Sequence, residues 1–151
     1  MTSSGAAFFD LDRTLLSGAS GEVFAGAMRL AGLTGPNPIP GERLLFGLFH
    51  AIGETLPSMV LARQAVTLAA GRSRAAVAEA AETVADDLCA MVQPFAATAF
   101  ASHREAGRPI VLATTTPYDL VKPFADRLGL DDVVATRYGV GADGTYGGTL
   151  D

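Results

Sequence analysis

Two carboxylates and a hydroxyl stand close together near the start of the chain. Asp10, Asp12 and Thr14 follow an apolar pair in the run Phe8-Phe-Asp-Leu-Asp-Arg-Thr-Leu15. Within a regular strand, residues 10 and 12 share one face. Where a buried strand runs out into a loop, both carboxylates can instead converge on the open space at its carboxyl end, where ligands bind in open parallel α/β sheets. Two acids so placed can divide covalent chemistry between them, one attacking and the other moving a proton. Such a pair has a structural use as well, capping a turn or the next helix.

A second chemical site lies a hundred residues on, in Ile110-Val-Leu-Ala-Thr-Thr-Thr-Pro117. Its hydroxyls fall at the end of a buried strand and the start of a helix, and a helix N-terminus with free N–H groups favours phosphate. Thr116 is also placed to cap the helix that Pro117 opens.

The elements that must hold these residues follow from periodicity. Ala6–Leu11 is apolar enough for a buried strand. Glu22–Leu33 has helical spacing of Val23, Phe24, Ala27, Leu30 and Ala31, ending near Gly32. The three prolines of Gly35–Gly41 make a loop, and Glu42–Glu54 and Ser58–Ala70 read as helices parted at Leu56-Pro57. Ser73 caps a helix running to Val92, and a further helix from Pro94 stops at Gly107. Pro109–Ala113 is a strand, Pro117–Leu128 an amphipathic helix ended by Gly129, and Asp132–Arg137 another strand. Strand, helix, strand at this spacing is a βαβ unit with parallel strands. Asp143-Gly144 then turns a hairpin between β-prone pieces. The expected fold is α/β, a Rossmann-like parallel sheet interrupted by an all-helical insertion.

Asp-x-Asp-x-Thr after an apolar strand, with Thr114-Thr-Thr-Pro117 closing a later one, resembles the first two motifs of the haloacid dehalogenase (HAD) superfamily. The closest resemblance is to subclass IB, the phosphoserine-phosphatase-like proteins. Val134-Ala-Thr-Arg137, Asp143-Gly144 and Tyr146-Gly147 are also similar to that subclass. The resemblance covers essentially the whole chain. It implies a HAD core at 1–16 and 94–151 and a helical C1 cap at 17–93. It further implies a Mg²⁺-dependent phosphomonoester hydrolase acting through an aspartyl-phosphate on a small phosphorylated metabolite.

The resemblance makes Asp10 the nucleophile and Asp12 the acid for the leaving oxygen, then the base for water. Mg²⁺ would sit on the Asp10 carboxylate and the Asp12 carbonyl. Thr114 would contact phosphate, and Thr115 would supply its backbone N–H. Thr14 would tie the loop by bonding backbone or the Asp12 carboxylate, Arg13 is solvated or meets substrate, and Glu22 could read a substrate amine. Phosphoserine phosphatases carry a cap glutamate nine residues past the nucleophile, a position held here by Ala19, which argues against phosphoserine.

Two family motifs have no match: a phosphate-neutralising Lys or Arg and a late acidic pair. Lys122, the one lysine among eleven basic residues, lies well inside a helix. Asp131-Asp132 begins its strand, on the sheet edge opposite the site, and Asp86-Asp87 falls in a helix of the insertion. The chain is therefore expected to be the N-terminal portion of a longer protein, with little turnover alone. The strand at 6–11 would be an open edge unless further chain or a second copy (a homodimer) covers it. Two rival readings are a non-catalytic binding or dimerisation module of the same fold, and the phosphatase-like half of a fusion with a lysophospholipid acyltransferase.

Bulk properties agree. Of 151 residues, 49% are hydrophobic and 18% charged, which suits one globular domain. The net charge of −5 argues against nucleic acid or an anionic membrane as partner. A single cysteine, Cys89, read as a small buried helix residue, excludes an internal disulfide. His50 and His103 read as surface residues of helices. No signal peptide or transmembrane span is visible, and a cytoplasmic location is expected.

Overall fold

The computed structural model describes residues 5–33 and 65–151. Three parallel strands form its centre in the order β1-β2-β3: β1 is Ala7–Phe9, β2 Ile110–Pro117 and β3 Asp132–Thr136. The helices are α1 (Gly21–Leu30), α2 (Arg74–Ala90), α3 (Phe95–Glu105) and α4 (Tyr118–Arg127), with residues 65–69 also helical. A hairpin, β4 (Tyr138–Val140) and β5 (Tyr146–Leu150), closes the chain. The expected loop at 35–41, the helix at 42–54, most of that at 58–70, and His50 lie outside the described residues.

Consecutive burial of Ile110, Val111 and Leu112 marks β2 as covered on both faces, as the middle strand of a parallel sheet requires. α4 connects β2 to β3 as the βαβ pattern predicts, and buries Val121, Phe124 and Ala125. Phe9 of β1 meets Phe100 of α3 edge to face at 5.1 Å. Gly107 and Gly129 end α3 and α4 at φ +66° and +63°, a left-handed turn that glycine enters without a Cβ clash. The core joins these elements to Leu11, Leu15, Leu16, Phe24, Ala81 and Leu88.

Among the described residues, two backbone junctions tie the segment from 17 to 93 to the rest of the chain. Where the chain leaves β1 and where it returns, Leu16 and Val92 pair antiparallel. Ser17 N–H there donates to Met91 at 2.9 Å, and Gln93 N–H to Leu15 at 2.8 Å. At the other junction residues 71–74 clasp the hairpin: Gly71 N–H donates to the Tyr146 carbonyl at 2.8 Å, and Tyr146 N–H to Arg72 at 3.0 Å. Ser73 caps α2 as expected, its Oγ accepting from Ala76 N–H at 3.3 Å. α2 lies along α4, and Arg127 of α4 meets Glu82 at 2.8 Å and Asp86 at 2.7 Å.

Three local expectations are corrected. β2 continues through Pro117, and α4 starts at Tyr118 with no side-chain cap; Thr116 stays in the strand, where its Oγ1 accepts from Thr114 Oγ1 at 3.2 Å and its N–H donates to the same Thr114 Oγ1 at 3.1 Å. His103 is half-buried, since its ring packs 5.8 Å from the Phe9 ring. Cys89 is only partly buried, on the flank of the core, and that burial raises its pKa.

β1 is paired on one side only among the described residues, and Phe8 is 64% exposed.

Candidate active site at the carboxyl end of β1

The chain turns sharply after Phe9. Asp10 is still extended, and Leu11–Leu15 close a turn with bonds five residues apart: Leu15 N–H to Asp10 at 3.1 Å and Leu16 N–H to Leu11 at 3.0 Å. Leu11, Leu15 and Leu16 are fully buried and anchor the turn. The residues between them are then forced outward, which puts Asp10, Arg13 and Thr14 at the surface and Asp12 half-buried. Arg13 adopts φ +57°, a left-handed conformation unusual for a side chain with a Cβ, and its N–H donates to the Gly18 carbonyl at 3.0 Å.

Among the described residues each carboxylate is hydrogen-bonded through one oxygen. Thr14 Oγ1 donates to Asp10 Oδ2 at 2.9 Å. Ser20 N–H donates to Asp12 Oδ1 at 2.6 Å. Asp10 Oδ1, Asp12 Oδ2 and the Asp12 carbonyl have no hydrogen-bond partner among the described residues. Thr14 was expected to bond backbone or Asp12. It bonds Asp10, because the wide turn brings residue 14 back over residue 10. Asp12, which caps the start of α1, fills the structural role open to such a pair as well.

The parallel register, Phe9 beside Leu112, brings Asp10 and the threonines of β2 to the same edge of the sheet. Thr114 Oγ1 is 3.2 Å from Thr116 Oγ1. Thr115 is exposed, and its carbonyl accepts from Thr136 Oγ1 at 2.7 Å. Glu22 is exposed in the first turn of α1, two residues past Ser20.

Other acids and the lysine have structural partners. Lys122 pairs with Asp126 one turn along α4. Asp131 accepts from Ile110 N–H at 2.7 Å, and Asp132 from Val133 N–H at 2.7 Å, both at the opposite sheet edge. Among the described residues no group of three His, Cys, Asp or Glu could hold a metal. The Asp10 carboxylate and the Asp12 carbonyl two residues on are hard oxygen donors. They suit a Mg²⁺ ion that keeps most of its waters, so the residues fit a partial site.

A polar cluster that sequence reasoning missed sits beside α4. Asp119 takes Arg74 Nε at 2.9 Å and the Tyr146 hydroxyl at 2.9 Å. Burial, then the bond to Asp119, raises the Tyr146 pKa. Arg137 lies 3.8 Å over the Tyr118 ring, and Arg74, Tyr118, Asp119 and Arg137 line a concavity of about 300 Å³ to which neither Asp10 nor Asp12 contributes. Separations of 45 and 27 residues left no local signal for the cluster. Ser20 was missed as well, although a serine just before a helical period is a readable start signal.

A three-strand parallel sheet with a β1 turn presenting two acids defines an α/β protein of the Rossmann-like class. The family model of haloacid dehalogenase-like hydrolases matches residues 7–150, and the chain belongs to that family. A Streptomyces azureus protein named for inhibition of morphological differentiation is 32% identical over 148 residues, covering 97% of this chain and 53% of its own length. A phosphoserine phosphatase of Mycobacterium tuberculosis is 29% identical over 150 residues, covering 97% of this chain and 48% of its own. A Bordetella pertussis structure of unknown function has TM-score 0.74 and 26% identity, covering 97% of this chain and 66% of that one. The chain thus spans about half the length of these curated relatives. No helix among the described residues is long and apolar enough to cross a membrane.

Proposed function

We propose that this chain carries the nucleophile and the acid/base of a Mg²⁺-dependent phosphomonoester hydrolase acting on a small phosphorylated metabolite. The observation that carries this reading is the pair of carboxylates at the end of β1, each tethered through one oxygen and, among the described residues, open through the other. Asp10 Oδ1 attacks phosphorus, the ester P–O bond breaks, and Asp12 gives its proton to the departing oxygen. Asp12 then takes a proton from the water that attacks the aspartyl-phosphate, which returns the Asp10 carboxylate and free phosphate. Thr114 and the Thr115 N–H receive the phosphoryl oxygens, and Arg13 and Glu22 face the substrate. Mg²⁺, held by the Asp10 carboxylate and the Asp12 carbonyl, would neutralise charge on the phosphoryl group.

In this reading residues 17–93 form the cap and 1–16 with 94–151 the core, and the reaction takes place in the cytoplasm. The name of the mycobacterial relative supports phosphomonoester chemistry. Ala19, where a phosphoserine phosphatase would carry glutamate, points to a different substrate. The open side of β1, with Phe8 64% exposed, supports completion of the sheet by further polypeptide or a second copy.

The test is hydrolysis of p-nitrophenyl phosphate by the full-length natural protein with and without Mg²⁺, beside Asp10→Asn. Loss of a covalent nucleophile should lower kcat by about a thousandfold or more. Equal rates for the two proteins would refute the hydrolase reading and favour a binding or dimerisation module. A panel of phosphorylated metabolites would then identify the substrate.

A further inference from the structure

Arg137 is a cation held in place without an acid. Among the described residues Arg74 pairs with Asp119, Lys122 with Asp126, and Arg127 with Glu82 and Asp86. Arg137 shares its concavity of about 300 Å³ with two acids, Asp119 and Asp151, and pairs with neither. Its guanidinium lies instead 3.8 Å over the Tyr118 ring, and its N–H groups have no acceptor among the described residues. We propose that this concavity binds a small oxyanion, a carboxylate or a phosphate, with Arg137 as the main contact and Arg74 as the second. Asp10, Asp12 and Thr114 do not line it, so the site is separate from the reacting carboxylates and stands without the hydrolase reading.

The surroundings prepare Arg137 for such a ligand. It follows β3 directly, and its carbonyl accepts the Asp151 N–H at 3.0 Å, which fixes the backbone. The Tyr118 ring then restrains the guanidinium, whose rigid fork of N–H donors stays available at its edge for an oxyanion. On the same lining Arg74 gives only Nε to Asp119, and its terminal nitrogens have no acceptor among the described residues. Asp119 repels an anion weakly, because Arg74 and the Tyr146 hydroxyl each hold one of its oxygens at 2.9 Å. Asp151 is the remaining acid of the lining, and it is exposed to solvent that screens its charge. A volume of about 300 Å³ lies at the lower end for ligand pockets, which suits a small molecule over a large cofactor.

The experiment titrates the full-length natural protein with sodium malonate and, separately, with inorganic phosphate, in Mg²⁺-free buffer of constant ionic strength, by calorimetry. We expect saturable binding of at least one anion, weakened about tenfold or more in Arg137→Gln, which loses a charge-assisted fork. Arg137→Lys keeps the charge without the fork and should weaken binding less than Arg137→Gln does. Arg137 is exposed, so both variants should fold. Thr114→Val should change the Arg137-dependent Kd by less than about twofold, since Thr114 lies off the lining. Asp151→Asn should tighten binding, because it removes the opposing charge. Tighter malonate binding assigns a carboxylate ligand and tighter phosphate binding a phosphate group, and either upholds the site. No saturable binding to wild type, or a Kd unchanged by Arg137→Gln, would overturn the proposal. So would binding that falls with Thr114→Val and not with Arg137→Gln, which places the anion at the carboxylate pair. Weaker binding by Asp151→Asn would overturn the choice of an anion, since it shows the ligand meeting Asp151 through a cation.

Discussion

Tyr146→Phe isolates the clasp between the hairpin and the start of α2. The hydroxyl, on a residue 4% exposed, donates to Asp119 Oδ2 at 2.9 Å, and Arg74 holds the other oxygen at 2.9 Å. A hydrogen bond to a charged group is worth about 1.5–3 kcal/mol. Asp119 keeps Arg74 and its side chain is 14% exposed, so water replaces part of the lost donor and the lower half of that range applies. A loss of about 1.5–2 kcal/mol lowers Tm by about 3–8 °C in a chain of this size. The 5.5 Å ring contact with Tyr138 survives in phenylalanine, so packing contributes little to the difference.

The pH dependence gives the sharper check. The Tyr146 pKa is raised from the ordinary 10.0, chiefly by burial and then by Asp119, so the folded protein holds this proton more tightly than the unfolded chain. The resulting stabilisation is whole below about pH 10 and is lost as pH rises through the folded value. Unfolding of wild type and Tyr146→Phe, followed by circular dichroism at pH 8 and pH 10.5, should show a gap that narrows at the higher pH. Tyr138, raised by burial as well, is present in both proteins and cancels. No destabilisation at pH 8, or a gap that stays constant at alkaline pH, would refute the reasoning.

Two further outcomes follow from the structure. Thr14→Val removes the exposed donor to Asp10 Oδ2, worth about 1 kcal/mol, and should lower kcat about fivefold with KM unchanged in steady-state assays. Phe124→Ala empties a fully buried site in the core and should destabilise by about 3–5 kcal/mol in urea titration.

Much of this molecule was readable without coordinates. Strand and helix periods, with Gly107 and Gly129 as stops, located each described strand and α-helix to within a few residues, because those signals are local backbone and burial preferences. The placement of Asp10, Asp12 and Thr114 at the carboxyl ends of their strands was legible because their positions relative to an apolar run fix which end of a strand they leave. Sequence could not say which oxygen each acid keeps open. That depends on a wide turn pinned by Leu11, Leu15 and Leu16, and on a left-handed Arg13, which are settled only once the core closes. The same holds for Thr14 choosing Asp10, for Thr116 turning back instead of capping α4, and for Asp119 gathering Arg74 and Tyr146 from distant segments. The sequence by itself determined the strand end at which Asp10, Asp12 and Thr114 stand. Tertiary structure alone decided which partner holds each group, because hydrogen bonds between remote segments depend on packing that no local pattern encodes.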